Sequence, residues 1–337
     1  MDLTQEIKHK ALELGFDLVG IADALPIDKQ QENVLCGWLH SGFAGQMAYM
    51  HQNLEKRIDP AGLLENAQSV ICVGLNYTPQ DIVRKINSPV SLGRVSNYAQ
   101  YEDYHTFIKK HLRKLVDFIN SIINTCPERP VVSEVEPSRR NQSSIINFRV
   151  CVDSAPLAER ALAVRAGLGF IGKNHILINP QLGCQIFLGE IITTLKLQPS
   201  IENHGPGKSE VENLCSNCNK CIAACPTGAL RPDGQFDANK CISYLTIEYK
   251  GEIASDLAGK IGDRLFGCDE CILACPWQKK APPCKNKQFK FYGDRAEMDL
   301  NAILNMTQDE FAGRFAGSCI ERLGLDGLKR NAQIGLS

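Results

Sequence analysis

The chain has 337 residues, a formal net charge of −1 and an apolar fraction of 44%, which leaves room for two domains and a sizeable core. This near-neutral charge excludes a generally basic nucleic-acid binder, so any contact with a polyanion must use a local basic patch. No apolar run approaches the ~20 residues of a membrane span, and the N-terminus has no secretion signal. We expect a monomeric, cytoplasmic protein without membrane contact.

The first elements predicted along the chain are a helix over residues 2–14 that ends at Gly15, a strand over 16–22 and a helix over 32–40. The charged run at 55–60 favours a solvated helix end. A continuous apolar run over 69–76 predicts a buried strand. A long helix opens near residues 98–105 and continues to about 124, with apolar side chains on one face and Lys109 and Lys110 towards the other. His105 is more typical of a satisfied histidine than of a ligand.

The prolines within residues 125–142 predict a loop. A strand over 148–153 and a helix over 155–166 then place Asp153 at a strand end, just before a helix. Two interpretations of Asp153 stay open. It is a helix N-cap, or it is a carboxyl group placed where α/β sheets carry their ligands.

A glycine-rich segment, GLGFIGK at residues 167–173, matches G-x-G-x-x-G and most of a P-loop. Both motifs require a strand before the glycines and a helix after them. Here a helix precedes, and residues 175–179 predict a strand, so we do not expect a nucleotide site. The glycines still permit close approach of a bulky flat ligand. Another buried strand is expected over 186–195, followed by a linker over 199–207.

The region from Cys215 to Pro276 carries the strongest chemical signal. It opens with C-x₂-C-x₂-C-x₃-C-P, the pattern of bacterial iron–sulfur proteins in which the fourth cysteine reaches a second cluster. It closes with C-x₂-C-x₃-C-P, and Cys241 between the two runs replaces the missing leading cysteine. We infer two [4Fe-4S] clusters, one held by Cys215, Cys218, Cys221 and Cys275, the other by Cys225, Cys241, Cys268 and Cys271.

Zinc is the main alternative for these cysteines, because C-x₂-C pairs also describe tetrahedral zinc sites. Zinc has no use for the third cysteine and the following Cys-Pro in both runs. A disulfide framework is disfavoured because nothing marks the chain as secreted. Most of the seven remaining cysteines are expected to be small buried hydrophobes.

Together with these cysteines, six segments make the chain resemble the epoxyqueuosine reductase family over about residues 5–330. They are EKRIDP (55–60), DYH (103–105), VDSAP (152–156), AGLGFIGKN (166–174), CISYLT (241–246) and IGDRLFGCD (261–269). The resemblance implies a cobalamin-dependent iron–sulfur enzyme that reduces epoxyqueuosine to queuosine at the wobble position of tRNA anticodons. An external ferredoxin or flavodoxin would donate the electrons.

The resemblance also implies a mixed α/β (α+β) fold in three parts. Residues 1–200 would form a cobalamin-binding catalytic domain related to flavin-reductase folds, 205–285 a ferredoxin-like domain with both clusters, and 286–337 the start of a truncated HEAT-like helical repeat. The family's proton-donating aspartate matches Asp153. Its cobalamin contacts match Arg57, Asp153, Leu177, Leu188, Ser243 and Asp269.

A carboxylic acid shielded over the corrin is expected to have a raised pKa, which suits a proton donor. Candidates for tRNA contact are the basic Lys279, Lys280 and Lys285, followed by Lys109 and Lys110. Two other functions stay open: a corrinoid reductase of the reductive-dehalogenase type, and a ferredoxin-type electron carrier. The large α/β region counts against the carrier, and the lack of a twin-arginine signal counts against the dehalogenase.

Overall fold

The computed structural model describes residues 2–80, 91–125, 146–201 and 214–337. Most of the loop predicted over 125–142, and most of the linker predicted over 199–207, lie outside the described residues. The helices are α1 Leu3–Glu13, α2 Lys29–His40, α3 Leu54–Ile58, α4 Tyr104–Thr125, α5 Glu159–Arg165, α6 Lys220–Ala224, α7 Ile242–Ile247, α8 Ser255–Ile261, α9 Glu270–Leu273, α10 Leu300–Asn305, α11 Gln308–Phe315 and α12 Gly324–Leu336. The strands are β1 Leu18–Asp23, β2 Ser69–Asn76, β3 Leu92–Val95, β4 Phe148–Cys151, β5 Phe170–Ile171, β6 Leu177–Ile178, β7 Ile186–Thr193, β8 Arg264–Phe266 and β9 Glu297–Asp299.

The larger sheet has the strand order β1-β2-β7-β4, and all three pairings are antiparallel. Every residue of β2 is buried. Its side chains alternate between two cores, with Ile71 and Val73 on one face and Val70 and Cys72 on the other. The apolar run is continuous because both faces of the sheet are covered.

Helices α1 and α4 cover one face of this sheet, and α5 covers the other. The long α4 lies close to β7 at Gly189, where a β-carbon would meet the side chains of Ile108 and Leu112. Glycine at this strand position therefore lets the helix pack against the sheet. Three layers result, with α5 on the face that also borders the cysteine-rich region.

A second sheet, of order β8-β3-β9, joins distant parts of the sequence. Strand β3 pairs in parallel with β8, near the closing cysteines, and antiparallel with β9. Residues from β3, β8 and the helices α10 to α12 share one apolar core, in which Phe266 and Phe315 are fully buried. The three predicted regions are thus connected by a common sheet, and the C-terminal region contains a strand as well as helices.

Several predicted element boundaries are wrong by a few residues. Helix α4 begins at Tyr104, after a separate 3₁₀ turn over Asn97–Gln100. Helix α5 begins at Glu159 rather than 155, because Pro156 lies in a loop before it and not in its first turn. The strand predicted over 175–179 shortens to β6.

The glycine-rich segment forms a β-hairpin rather than a nucleotide loop. Helix α5 precedes it, and β5 pairs antiparallel with β6. A β-carbon at Gly169 would collide with the backbone carbonyl of Ile178, and one at Gly172 with the Ile178 side chain. These glycines permit a close approach of the chain to itself.

Within the described residues, no helix is both long enough and apolar enough to span a membrane.

Candidate active site

A cavity of about 2040 Å³ lies between the larger sheet and the cysteine-rich region. Pockets for drug-sized ligands usually measure roughly 300–1,000 Å³, so this cavity has room for a considerably larger molecule. Four of the six residues matched to cobalamin contacts line it: Arg57, Asp153, Ser243 and Asp269. They come from α3, the loop after β4, α7 and the turn before α9.

The other two matched residues do not contribute side chains to the cavity wall. Leu177 lies on β6 and is 2% exposed, and Leu188 packs against the core on the α5 face of the sheet. The neighbouring Ile176 lines the cavity. Contact of Leu177 and Leu188 with cobalamin stays a prediction.

Arg57 faces the cavity instead of ending a solvated helix, so the solvated interpretation of its charged segment is wrong at this residue. Its Nη2 donates to the Tyr49 carbonyl at 3.4 Å. Its Nε is buried and has no hydrogen-bond partner among the described residues. Burial lowers the pKa of Arg57, although the negative charge of Glu159 acts to raise it. An unpaired buried donor at a cavity wall is suited to a polar ligand atom.

Asp153 lies in the loop of residues 152–158 between β4 and α5, hereafter the Asp153 loop. It is not an N-cap, because α5 begins six residues later with Ala158 at the cap position. Its backbone is left-handed, with φ +52°, and its side chain is 52% exposed towards the cavity that it lines.

His105, at the start of α4, connects two carboxylates. Its Nδ1 lies 2.6 Å from Asp103 Oδ1, and its Nε2 lies 3.0 Å from Asp153 Oδ2. Ionised carboxylates only accept hydrogen bonds, so both ring nitrogens donate and the ring is an imidazolium. Although burial alone would lower it, the hydrogen bonds to Asp103 and Asp153 raise the pKa of His105 to about 10.

The protein groups around Asp153 lower its pKa, and the raised pKa expected for a carboxyl group shielded over the corrin stays a prediction. Burial acts to raise the pKa of Asp153, but the hydrogen bond and charge of His105 outweigh burial and lower that pKa. The Tyr104 hydroxyl and the Arg322 side chain act in the same direction. The proton therefore resides on His105, one hydrogen bond from the carboxylate that faces the cavity.

Cys319, from the 3₁₀ turn before α12, also contacts His105. The ligand atoms of Asp103, His105 and Cys319 lie within 4.8 Å of one another. Both ring nitrogens of His105 are already engaged by carboxylates, so we interpret the group as a proton-holding network and not as a metal site. Arg322 lines the cavity beside it.

The eight motif cysteines divide into two groups, four that line the cavity and four that are absent from its described lining. Cys225, Cys241, Cys268 and Cys271 all line the cavity, and burial, then the charges of Cys241, Cys268 and Cys225, raise the pKa of Cys271 well above its ordinary value. This is the set inferred for one cluster.

The remaining motif cysteines are absent from the described cavity lining. Burial raises the pKa of Cys221, and the charges of Cys215 and Cys275 raise it further, while the Cys218 N–H donates to the Cys215 carbonyl at 2.7 Å. The inferred pairing of the cysteines, and their ligation of clusters, both stay predictions.

Among the non-motif cysteines, Cys72, Cys151, Cys184 and Cys319 are buried, as expected, whereas Cys36 and Cys284 are partly exposed. Cys184 is more than a buried hydrophobe, because its thiol forms a hydrogen bond with Cys275 that lowers the pKa of Cys275 to about 6. The Cys184 thiol therefore lies next to one of the motif cysteines that are absent from the cavity lining.

The predicted basic patch is divided between two places. Lys279 and Lys280 are exposed on a 3₁₀ turn that directly follows Cys275. Lys109 instead reaches the Asp153 loop, where its Nζ lies 3.4 Å from Ser154 Oγ. Lys109 therefore lies next to Asp153, the candidate acid.

Sequence reasoning missed the network behind Asp153. His105 was expected to be a satisfied histidine, which it is, but its partners include Asp153 from 48 residues away. The Asp-x-His spacing at 103–105 was the available local signal. Nothing local indicates that Cys319 and Arg322, more than 200 residues later, complete the same site.

Two family models match the chain. The model described as "Epoxyqueuosine reductase QueG, DUF1730" matches residues 57–154. The model described as "4Fe-4S double cluster binding domain" matches residues 214–278. The first ends just after Asp153, and the second contains all eight motif cysteines.

A curated relative, the epoxyqueuosine reductase of Cyclobacterium marinum, is 36% identical over 328 residues, which cover 97% of this chain and 95% of its own. A crystal structure of epoxyqueuosine reductase with a tRNA-Tyr epoxyqueuosine-modified tRNA stem loop is 28% identical, with a TM-score of 0.84 over 99% of this chain and 80% of that chain. The epoxyqueuosine reductase from Bacillus subtilis, solved with its aspartate catalytic loop swung out of the active site, is also 28% identical, with a TM-score of 0.83 over 99% of this chain and 81% of that chain.

Proposed function

Since the chain belongs to the epoxyqueuosine reductase family and is an oxidoreductase, we propose that it reduces epoxyqueuosine to queuosine in the anticodon of tRNA. One observation carries the assignment to this site. A single cavity is bordered by Asp153, which is hydrogen-bonded to His105, and by a group of four cysteines from the double-cluster domain. The same cavity wall therefore contains a candidate proton source and borders a candidate electron source.

Cobalamin fits this cavity. The volume exceeds that of ordinary ligand sites, and the wall offers the unpaired Nε of Arg57 together with Ser243 and Asp269. When bound and reduced, cobalamin would supply a nucleophilic Co(I) centre. The carboxylate of Asp269 accepts from Ser96 Oγ at 2.5 Å and from the Asn97 N–H at 2.7 Å, so its position in the wall is fixed.

We assign the acid role to Asp153 together with His105. Reduction of an epoxide to an alkene consumes two electrons and two protons and releases water, so the leaving oxygen must be protonated. His105 first transfers its Nε2 proton to the Asp153 carboxylate, and the carboxylic acid so formed delivers that proton to the leaving oxygen. Solvent would supply the second proton, which completes the water, and would reprotonate His105. Asp103 stays bonded to Nδ1 and fixes the orientation of the ring.

The two cysteine groups suit the role of an electron path. The group that borders the cavity would hold the cluster nearer the cofactor, and the group beside Lys279 and Lys280 would hold the other. Iron–sulfur clusters reach reduction potentials near −700 mV, low enough to reduce a corrin. The electron donor would be a ferredoxin or flavodoxin.

The position of the site also indicates where tRNA would approach. Lys109 beside Ser154 and Arg322 in the cavity wall place positive charge around Asp153. Phosphates flanking the modified nucleotide would meet these side chains, because phosphate contacts set the register of a nucleic acid on its protein.

The direct test incubates the reduced, cobalamin-loaded protein with epoxyqueuosine-containing tRNA and analyses the nucleosides of the product. Queuosine should form in wild-type protein and not without cobalamin. A loaded protein with intact clusters that leaves epoxyqueuosine unchanged would overturn the proposal.

A further inference from the structure

Two glutamates lie beside the Asp153 loop, Glu159 in the cavity wall and Glu190 in the sheet. Glu190 is on the central strand β7, where it faces α5 between Cys72 of β2 and Cys151 of β4. It is 0% exposed, and neither carboxyl oxygen accepts a hydrogen bond from an N–H or O–H donor among the described residues. Its carboxyl group instead lies within hydrogen-bonding reach of the Glu159 carboxyl group. A buried, unpaired carboxylate is costly, so this group requires an explanation.

Glu159, the first residue of α5, connects this position to the Asp153 loop. Its Oε1 accepts the backbone N–H of Asp153 at 2.5 Å. Asp153 has the left-handed φ of +52°, a conformation that persists only where the surroundings hold it. A charge-assisted bond at this N–H therefore fixes the strained residue at the centre of the loop.

The two carboxyl groups interact with each other. Burial, then the charge of Asp153, raise the pKa of Glu159 to about 7. Burial, then the charge of Glu159, raise the pKa of Glu190 well above its ordinary value. The other titratable and charged groups around the pair are Arg57 on α3, Arg160 on α5, Cys72 on β2 and Cys151 on β4.

These neighbours decide where the proton resides. Arg57 and Arg160 favour a charge on Glu159, whereas Glu190 has only thiols beside it in the sheet. Two close carboxyl groups in such a site titrate as a pair and do not both ionise near neutral pH. Glu190 is therefore the protonated member, and Glu159 is the acceptor for Asp153.

We propose that Glu159 and Glu190 form a one-proton pair that holds the Asp153 loop inside the cavity, with Glu159 as a positioning residue and Glu190 as its protonated support. The inference rests on the proposed role of Asp153 but concerns the loop and not the chemistry. Loss of the Glu190 proton at high pH would place two charges together and release the loop. The pair thus makes loop position depend on pH.

Amide hydrogen exchange of the cofactor-free protein tests the pair without turnover. In Glu159→Ala, exchange at the Asp153 amide should rise about 10- to 100-fold, the worth of one hydrogen bond to a charged acceptor, while the amides of β4 stay protected. Glu159→Gln, which keeps a weaker acceptor, should fall between. Glu252→Gln, at an exposed glutamate, is the control and should match wild type.

The Glu190→Gln variant tests whether protonation of Glu190 controls the loop or whether its carboxyl group only fills space. It mimics the protonated form, so the Asp153 amide should be as protected as in wild type at pH 7 and should stay protected at alkaline pH values where wild type loses protection. Unchanged exchange in both Glu159 variants would overturn the inference. The same loss of protection at alkaline pH in Glu190→Gln as in wild type would also overturn it. If exchange behaves as expected but Asp153→Asn retains full turnover, the proposed acid fails and the pair stands.

Discussion

Asp153 occupies a left-handed backbone conformation that few residue types adopt without strain. Asparagine and aspartate are enriched there because their short polar side chains tolerate it. Asp153→Asn is therefore a mild change for the fold, and the absence of an N-cap role removes the competing explanation for any effect. The substitution therefore removes the ability of this side chain to donate a proton and changes little else.

We expect Asp153→Asn to lower epoxyqueuosine turnover by roughly 10²–10⁴, the usual worth of a positioned acid. Cobalamin loading and iron content should change little, because the two side chains are nearly isosteric. Turnover is measured with a strong chemical reductant so that electron delivery is not limiting. Near wild-type turnover would leave the acid unassigned.

The charge of His105 gives a second prediction at this scale. Its pKa is raised to about 10 from about 6.5 in an unfolded chain, so its protonation stabilises the fold fully below pH 6.5. This contribution is lost as the pH rises towards 10. NMR titration of the ring should show an imidazolium at pH 8.

The matched variant for His105 is Asp153→Asn, which removes one of the two carboxylate partners and should lower the pKa of His105. A wild-type ring that titrates near 6.5 would contradict the proposed network. So would an Asp153→Asn protein whose His105 titrates as in wild type.

Among the secondary-structure elements, those with uninterrupted local patterns were predictable. Strand β2 has the predicted bounds of 69–76 because its apolar run is continuous and both faces are covered. Helix α1 ends before Gly15, which has φ +94° as expected of a helix-terminating glycine. The start of α5 was not predictable from local sequence, since Glu159 and His105 form the hydrogen bonds that hold the Asp153 loop before the helix.

The next prediction concerns the iron and sulfide that the motif cysteines would hold. Anaerobically purified protein should contain about eight iron and eight sulfide per chain, two cubanes' worth. Cys225→Ala or Cys241→Ala should remove about half of both and leave the other cluster's EPR signal. Cys36→Ala, at a cysteine outside both groups, should leave the content unchanged. Two zinc ions and no sulfide would refute the iron–sulfur assignment.

The exposed 3₁₀ turn with Lys279 and Lys280 is the local basic patch predicted to bind tRNA. Charge reversal at both lysines should weaken tRNA binding and flatten its salt dependence by about one unit of slope for each phosphate that the protein no longer neutralises. Lys196→Glu, at an exposed lysine after β7, is a matched control. Binding that is unaffected by reversal at 279 and 280 would shift attention to Lys109 beside Ser154.

On the scale of the whole molecule, the cysteine spacing predicted the double-cluster domain, because the motif cysteines recur in two short runs with a regular spacing. The acid site was predictable only in part, since its members come from β-strand, helix and C-terminal regions that meet through the β8-β3-β9 sheet. Cys319 and Arg322 reach Asp153 only because the helices α10 to α12 pack on that sheet. Such long-range placement leaves no trace in local spacing.

The shared cavity leads to the last prediction, that cobalamin binds between the two regions and stabilises both. A ligand that binds only the folded protein stabilises it by about 2.7 kcal/mol at 100 times its Kd, so added cobalamin should raise the thermal midpoint.

Ser243 lines the cavity from α7, and Ser243→Trp should block binding. Ser255→Trp, at the exposed start of α8, controls for the bulk of the new side chain. Cobalamin absorbance retained after gel filtration measures binding directly, and equal iron content in both variants shows that the clusters are intact. Retention of cobalamin by Ser243→Trp at the wild-type level would place the cofactor elsewhere.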